Sequence, residues 1–153
     1  MPFLQVKGQA QLPAPRSRVW ETLMDPEALQ RCLPGCQKFE LVAPTEWEAT
    51  LSVGLASIKG TYSGRVRISD QEAETSYRLT VEGRGAGNRI RGDGVVTLAD
   101  APEGGTVVTY AGDAHVLGPL AAVSQRLLQP AAKMLADQFF GCTGKEVQAR
   151  TSS

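Results

Sequence analysis

Asp25-Pro26-Glu27-Ala28-Leu29-Gln30-Arg31-Cys32-Leu33-Pro34-Gly35-Cys36 reads as a short capped helix that stops at a Pro-Gly turn and feeds directly into a strand. Asp25 offers an oxygen to an otherwise unpaired first-turn amide. Pro26 suits the first helical position, where its missing donor costs nothing. Upstream, Pro15 opens a second short helix predicted over 16–24, behind a first strand over 3–12. One strand, two short helices and then a long series of strands is a specific architecture, and it suits a container for a small apolar molecule.

The strands after the two helices show themselves by their period. A short one is predicted over 39–42, ended by Ala43-Pro44. Trp47, Ala49, Leu51, Val53 and Leu55 then share one face, against Glu46, Glu48, Thr50 and Ser52 on the other. Ile58, Gly60, Tyr62, Gly64, Val66 and Ile68 repeat the pattern, as do Tyr77, Leu79 and Val81. One apolar and one polar face mark antiparallel strands covered on a single side. The last strands are expected over 95–98 and 107–116.

From about Pro119 the period becomes helical, with Leu120, Val123, Leu127, Ala131, Met134 and Leu135 on one stripe. Pro130 should interrupt one backbone hydrogen bond, and Gly141 is expected to stop the helix. Residues 1–142 then form one ligand-binding domain, and 143–153 a polar, mobile tail. A six- or seven-stranded sheet with one apolar face and a helix with one apolar stripe must cover each other. A strongly twisted sheet tends to leave space against such a helix.

Composition narrows the function. Sixteen basic residues balance sixteen acidic ones, so the overall field favours neither nucleic acid nor an acidic partner. The start MPFLQVKGQAQ lacks the apolar block of a secretory signal, and no run approaches the ~20 apolar residues of a membrane span. Three cysteines and the single His115 make a poor zinc set. A Cys32–Cys36 disulfide is conceivable. Small buried packing residues are the plainer reading of these cysteines in a reducing compartment.

Residue by residue, the chain resembles the CoxG family of proteins associated with aerobic carbon monoxide dehydrogenase, within the START/Bet v 1-like superfamily. The resemblance rests on Val19-Trp20, Asp25-Pro26 with Leu29, and Cys32-Leu33-Pro34-Gly35-Cys36. It is strengthened by glycines 60, 64, 83, 85, 87 and 92 and by Ala136-Asp137-Gln138-Phe139-Phe140. It implies an α+β helix-grip fold: a curved antiparallel sheet wrapped around a long C-terminal helix, enclosing a hydrophobic cavity. It also implies a non-catalytic role beside a molybdenum-containing hydroxylase. That role is to recruit the enzyme to the membrane or to handle a lipophilic, quinone- or lipid-like electron acceptor. A cytoplasmic protein, peripheral to the inner membrane face and without a cofactor, is the corresponding expectation.

Candidate ligand-binding residues are the inward apolar ones: Val53, Leu55, Tyr62, Val66, Leu79, Val81, Val96, Tyr110, Leu120, Val123, Leu127 and Met134. Gln138 joins them as a polar group near the helix stripe, and Tyr62 and Tyr110 as donors for a ligand carbonyl. Filling a core is the plain alternative for each. Inward Gly60, Gly64, Gly83 and Gly112 signal either sharp bending or empty room. Arg84, Arg89 and Arg91 cluster at a glycine-rich turn, where a solvated turn is the plain reading and contact with an acidic partner or lipid head groups are the alternatives. Two rivals stand beside the carrier: a cyclase- or hydrolase-type enzyme using the same cavity, and a pure interaction module docking through the outer sheet face.

Overall fold

The computed structural model describes residues 3–54, 59–123 and 125–152. Strand β1 (Phe3–Leu12) leads into helices α1 (Arg16–Leu23) and α2 (Pro26–Cys32). Six strands follow: β2 (Cys36–Ala43), β3 (Glu46–Val53), β4 (Gly60–Glu72), β5 (Ser76–Gly85), β6 (Asn88–Asp100) and β7 (Thr106–Leu117). A 3-10 turn (Pro119–Ala122) precedes α3 (Gln125–Ser152), 28 residues long. All seven strands join one antiparallel sheet in the order β1-β7-β6-β5-β4-β3-β2.

The two short helices form for the reasons their sequences give. Pro15 stands at the N-cap of α1, and Asp25 caps α2 by accepting the Glu27 amide at 3.0 Å. Gly35, with φ of +70°, makes the turn into β2, where a Cβ would run into the Ser52 carbonyl.

Helix α3 lies against β1, α1 and α2. The sheet's apolar face and this helix build two packed clusters. The larger joins Leu12, Val19, Leu23, Trp47, Ile68, Tyr77, Val96, Val108, Phe140 and Val147 at the end covered by α1. A smaller one joins Val116, Leu120 and Leu128 at the opposite end, with Leu4, Tyr62, Ile90 and Val123 against it.

Four expectations change. Gly141 does not stop α3, which runs through it to Ser152. The mobile tail is therefore replaced by the helix's last turns. Thr143 and Val147 are buried there and Arg150 forms an ion pair with Asp25. A glycine in mid-helix costs only about 1 kcal/mol, less than burial of Val147 returns. The stripe that begins at Pro119 is not continuous, because a 3-10 turn and extended Val123 reset the helical phase before Gln125. Finally, Cys32 is bonded to Cys142 and not to Cys36, which stays a free thiol. The unbroken α3 is what carries Cys142 alongside α2, beside the Arg31–Glu146 and Asp25–Arg150 ion pairs.

Candidate functional site

Between the two clusters the concave face is thinly filled. Leu51, Val53, Val66, Leu79 and Val81 point the same way as the buried Trp47, Ile68 and Tyr77, yet all five remain half-buried. Cross-strand register places them side by side: Leu51 faces Tyr62, Trp47 faces Val66, and Val66 faces Val81. Next to them lie small residues in two cross-strand rows: Ala49, Gly64 and Gly83 in one, and Gly92 and Ala114 beside Val81 in the other. Small residues in this band, with α3 held against β1, leave an apolar recess over β3 to β5.

The glycines have two separate causes. A Cβ on Gly64 would lie 2.0 Å from the Glu82 carbonyl oxygen, and one on Gly112 would lie 2.7 Å from that of Asp93. These positions exist because neighbouring strands approach too closely for a side chain, where the sheet coils sharply. Gly83 and Gly92 differ. Their nearest atoms, Ser63 O and Asp113 O, stand 3.5 and 3.7 Å from an ideal Cβ. Here a side chain could be added in ordinary contact, and of the two Gly83 borders the recess.

Two polar groups in the apolar layer have no hydrogen-bond partner among the described residues. The Tyr110 hydroxyl and Trp47 Nε1 are buried and make no hydrogen bond. Tyr110 stacks on Phe140 with centroids 4.9 Å apart and extends over Gly8, where a Cβ would come within 2.5 Å of its hydroxyl. Trp47 stacks on Phe39 at 5.6 Å. An unpaired buried donor costs about 1–3 kcal/mol. Trp47 lies on β3 opposite Val66, at the edge of the recess, whereas the Tyr110 hydroxyl is held over β1 beneath α3. Tyr62 is spoken for: burial pushes its phenol up, and a hydrogen bond with Asn88 partly offsets this.

Asn88 is the residue that sequence reasoning missed. Buried beneath the β5–β6 turn, its side-chain amide donates to the Gly85 and Ala86 carbonyls at 3.2 and 3.3 Å. Its Oδ1 accepts the Leu120 backbone amide at 2.7 Å. One side chain thus fixes both the turn and the start of the segment leading to α3. An asparagine in a glycine-rich turn reads simply as turn chemistry, so only the fold exposes this second job.

The candidate list divides accordingly. Val53, Val66 and Val81 are half-buried on the thinly filled part of the inner face, and Leu79 is half-buried against the larger cluster; Tyr62 and Val123 are half-buried against the smaller one. Val96 and Tyr110 are buried in the larger cluster and Leu120 in the smaller. Leu55 lies outside the described residues. Leu127, Met134 and Gln138 are corrected. Leu127 is 58% and Met134 47% exposed, and Gln138 is exposed as well. After the phase reset at Val123, Leu128 is buried in place of Leu127, while Ala131 of the expected stripe stays buried and Leu135 half-buried; one residue of shift rotates a helix face by about 100°.

Electrostatically the recess is quiet. Across the middle of the inner face the described residues are aliphatic, aromatic or glycine, and the perturbed carboxylates lie at α2 and α3. There the Arg150 side chain holds the Asp25 carboxyl below its ordinary value, and Arg31 does the same for Glu146. Among the described residues no cluster of histidine, cysteine and carboxylates could hold a metal ion, and no helix is long and apolar enough to cross a membrane. Two open depressions, of about 410 and 300 Å3, lie outside the recess, at Gln11–Pro13 with Glu103–Gly105 and along the outer face at Val95 and Ala111.

Comparison with known proteins agrees with this geometry. A conserved protein from Geobacillus kaustophilus is 33% identical over 95% of each chain, with a TM-score of 0.91. The Zhui aromatase/cyclase from Streptomyces sp. R1128 shares 14% identity over 98% of this chain and 96% of its own, with a TM-score of 0.73. Ara h 8.0201 shares 16% over 97% and 99%, with a TM-score of 0.70. At such identities the last two speak for the fold alone, which is the helix-grip arrangement. Among curated proteins none matches significantly. The family model for the CoxG subunit of carbon monoxide dehydrogenase matches residues 8–148, nearly the whole chain, so this protein belongs to the CoxG family.

Proposed function

We propose that this chain is a non-catalytic binding protein for a flat apolar molecule of quinone or lipid type. In this reading it serves as an accessory to a molybdenum-containing oxidoreductase of the carbon monoxide dehydrogenase kind, in membrane recruitment or electron-acceptor delivery. The family supplies the partner. The observation that carries the cargo is the half-exposure of Leu51, Val53, Val66, Leu79 and Val81 on a face whose two ends are packed shut. Covering such surface is worth ~25 cal/mol per Å2 withdrawn from water. Trp47 Nε1, on β3 opposite Val66, is a suitable donor for a carbonyl.

Chemistry on the cargo would need an acid or base beside it. The polar groups that reach the apolar layer, among the described residues, are phenols, an indole and a structural amide, which favours carriage over turnover. Titration of the detergent-free protein with a short-tailed menaquinone analogue, followed through tryptophan fluorescence, tests the proposal. Saturable one-to-one quenching supports it. Absence of binding by both the analogue and a fatty acid refutes it.

A further inference from the structure

Overall neutrality conceals a segregation of charge. The stretches 53–69, 83–92 and 114–136 contain eight of the sixteen basic residues and none of the sixteen acidic ones. Their tips meet at the end of the molecule remote from α1. A Cβ on Gly60 would lie 3.0 Å from Ala86 Cβ, and one on Gly87 would lie 3.6 Å from Pro119. Asn88 ties the β5–β6 turn to Leu120. The opposite end collects acids: Asp70, Glu72 and Glu74 in one hairpin, Asp100 and Glu103 in another, and Asp25 with Glu27 at the start of α2.

The basic end has a definite pattern. On the outer face Arg84 pairs directly with Arg89, and Arg89 with Leu117, in one cross-strand row. Facing like charges destabilise a sheet. Among the described residues neither arginine, nor Lys59 nearby, has an acidic partner, whereas Arg91 one row further in is paired to Glu82 at 2.8 Å. Within this basic rim Leu117 is 52% and Leu127 58% exposed. Exposed leucines beside the uncompensated charges of Lys59, Arg84 and Arg89 form an amphipathic edge. Its chemical complement is a surface with phosphate outside and hydrocarbon beneath.

We infer that this end, built from Lys59, Arg84, Arg89, Leu117 and Leu127, docks on the face of an anionic phospholipid bilayer. The arginines meet head-group phosphates and the two leucines enter the interfacial layer. The inference deepens the proposed function and its membrane role rests on that reading: Val53 and Gly83, which border the recess, lie within a few residues of the same rim, so docking presents the recess to a bilayer-dissolved cargo.

Vesicle flotation of the full chain provides the test, with pure phosphatidylcholine compared with a 3:1 phosphatidylcholine–phosphatidylglycerol mixture. The protein should partition to the anionic vesicles at 0.1 M salt and leave them at 0.5 M. R84Q/R89Q should weaken partition roughly twenty-five-fold, about fivefold for each arginine. L117S/L127S should weaken it on the same vesicles. Removing two facing like charges spares the fold, which circular dichroism verifies. Equal partition to both vesicle types, no partition to either, or partition indifferent to R84Q/R89Q overturns the inference. Soluble menaquinone-analogue titration of R84Q/R89Q separates the two proposals. Retained cargo binding with lost flotation supports this surface, and lost cargo binding in the parent with intact flotation removes the carrier reading alone.

Discussion

Replacing Gly83 by leucine should fill the recess and spare the sheet, while replacing Gly64 by alanine should do the reverse. An ideal Cβ on Gly83 has Ser63 O as its nearest neighbour at 3.5 Å, ordinary contact that asks nothing of the backbone. The added side chain then occupies recess volume, and the cargo loses the burial that one leucine's worth of space allows. That loss is about 1.5–3 kcal/mol, roughly ten- to hundredfold in Kd. On Gly64 the same atom would sit 2.0 Å from Glu82 O and 2.6 Å from Gly83 Cα, so β5 must retreat by about 1 Å. Overpacking against backbone costs about 3 kcal/mol, which for a domain of this size lowers Tm by roughly 6–12 °C. Thermal melts and menaquinone-analogue titrations on both variants, Gly83→Leu and Gly64→Ala, provide the readout. Binding by Gly83→Leu as tight as the parent's, or melting of Gly64→Ala where the parent melts, would refute this division of the glycines.

Further expectations concern stability and donors. Oxidised protein should show one titratable thiol, Cys36; reduction of Cys32–Cys142, which closes a loop across 110 residues, should cost up to about 4.7 kcal/mol and lower Tm by roughly 10–20 °C. Three free thiols in Ellman's assay before reduction would contradict the pairing. Asp25 and Glu146 have depressed folded values, so their contribution is present above the ordinary carboxylate range and is lost as pH falls through the folded ones. Urea melts below about pH 4 should therefore weaken, and less steeply in D25N/E146Q; an identical acid limb in that variant refutes the linkage. Asn88→Ala leaves the Leu120 amide and two turn carbonyls unpaired and should destabilise by about 1–3 kcal/mol, read by chemical denaturation, with an unchanged midpoint as the contrary result. Tyr110→Phe deletes a buried hydroxyl that has no partner among the described residues and lies away from the recess, so the protein should hold or gain stability with cargo affinity unchanged; a lower denaturation midpoint would mean the hydroxyl serves the core.

Strand existence and facing were legible because period-two alternation is a local signal. Val53, Val66, Leu79 and Val81 fall where alternation puts them, and the Asp25-Pro26 cap forms as its chemistry demands. Strand lengths were less so. β6 spans Asn88–Asp100, far beyond the expected 95–98, because Gly92 and Gly94 stand where the inward face would otherwise show apolar side chains and so blank the alternation. The helical stripe misled for a related reason. Leu120, Leu127 and Met134 keep a perfect three-four spacing on paper, but Gly118-Pro119 starts a 3-10 turn, and the true helix begins with a new phase at Gln125. Cys32–Cys142 was out of reach altogether, since a helix ending at Gly141 leaves Cys142 with nowhere to be. Spacing 110 residues apart becomes a contact only once α3 is laid along α2. The Asn88 bridge and the charge segregation likewise exist only in three dimensions.

Carriage of a flat apolar cargo depends on one surface, the recess over β3 to β5. Methyl NMR of the protein titrated with a short-tailed naphthoquinone addresses it directly. Shifts should concentrate on Leu51, Val53, Val66, Leu79 and Val81 and spare Val95 on the outer face and Val147 in the packed core. A silent spectrum, or perturbation centred on Val95 and Leu117, would contradict it.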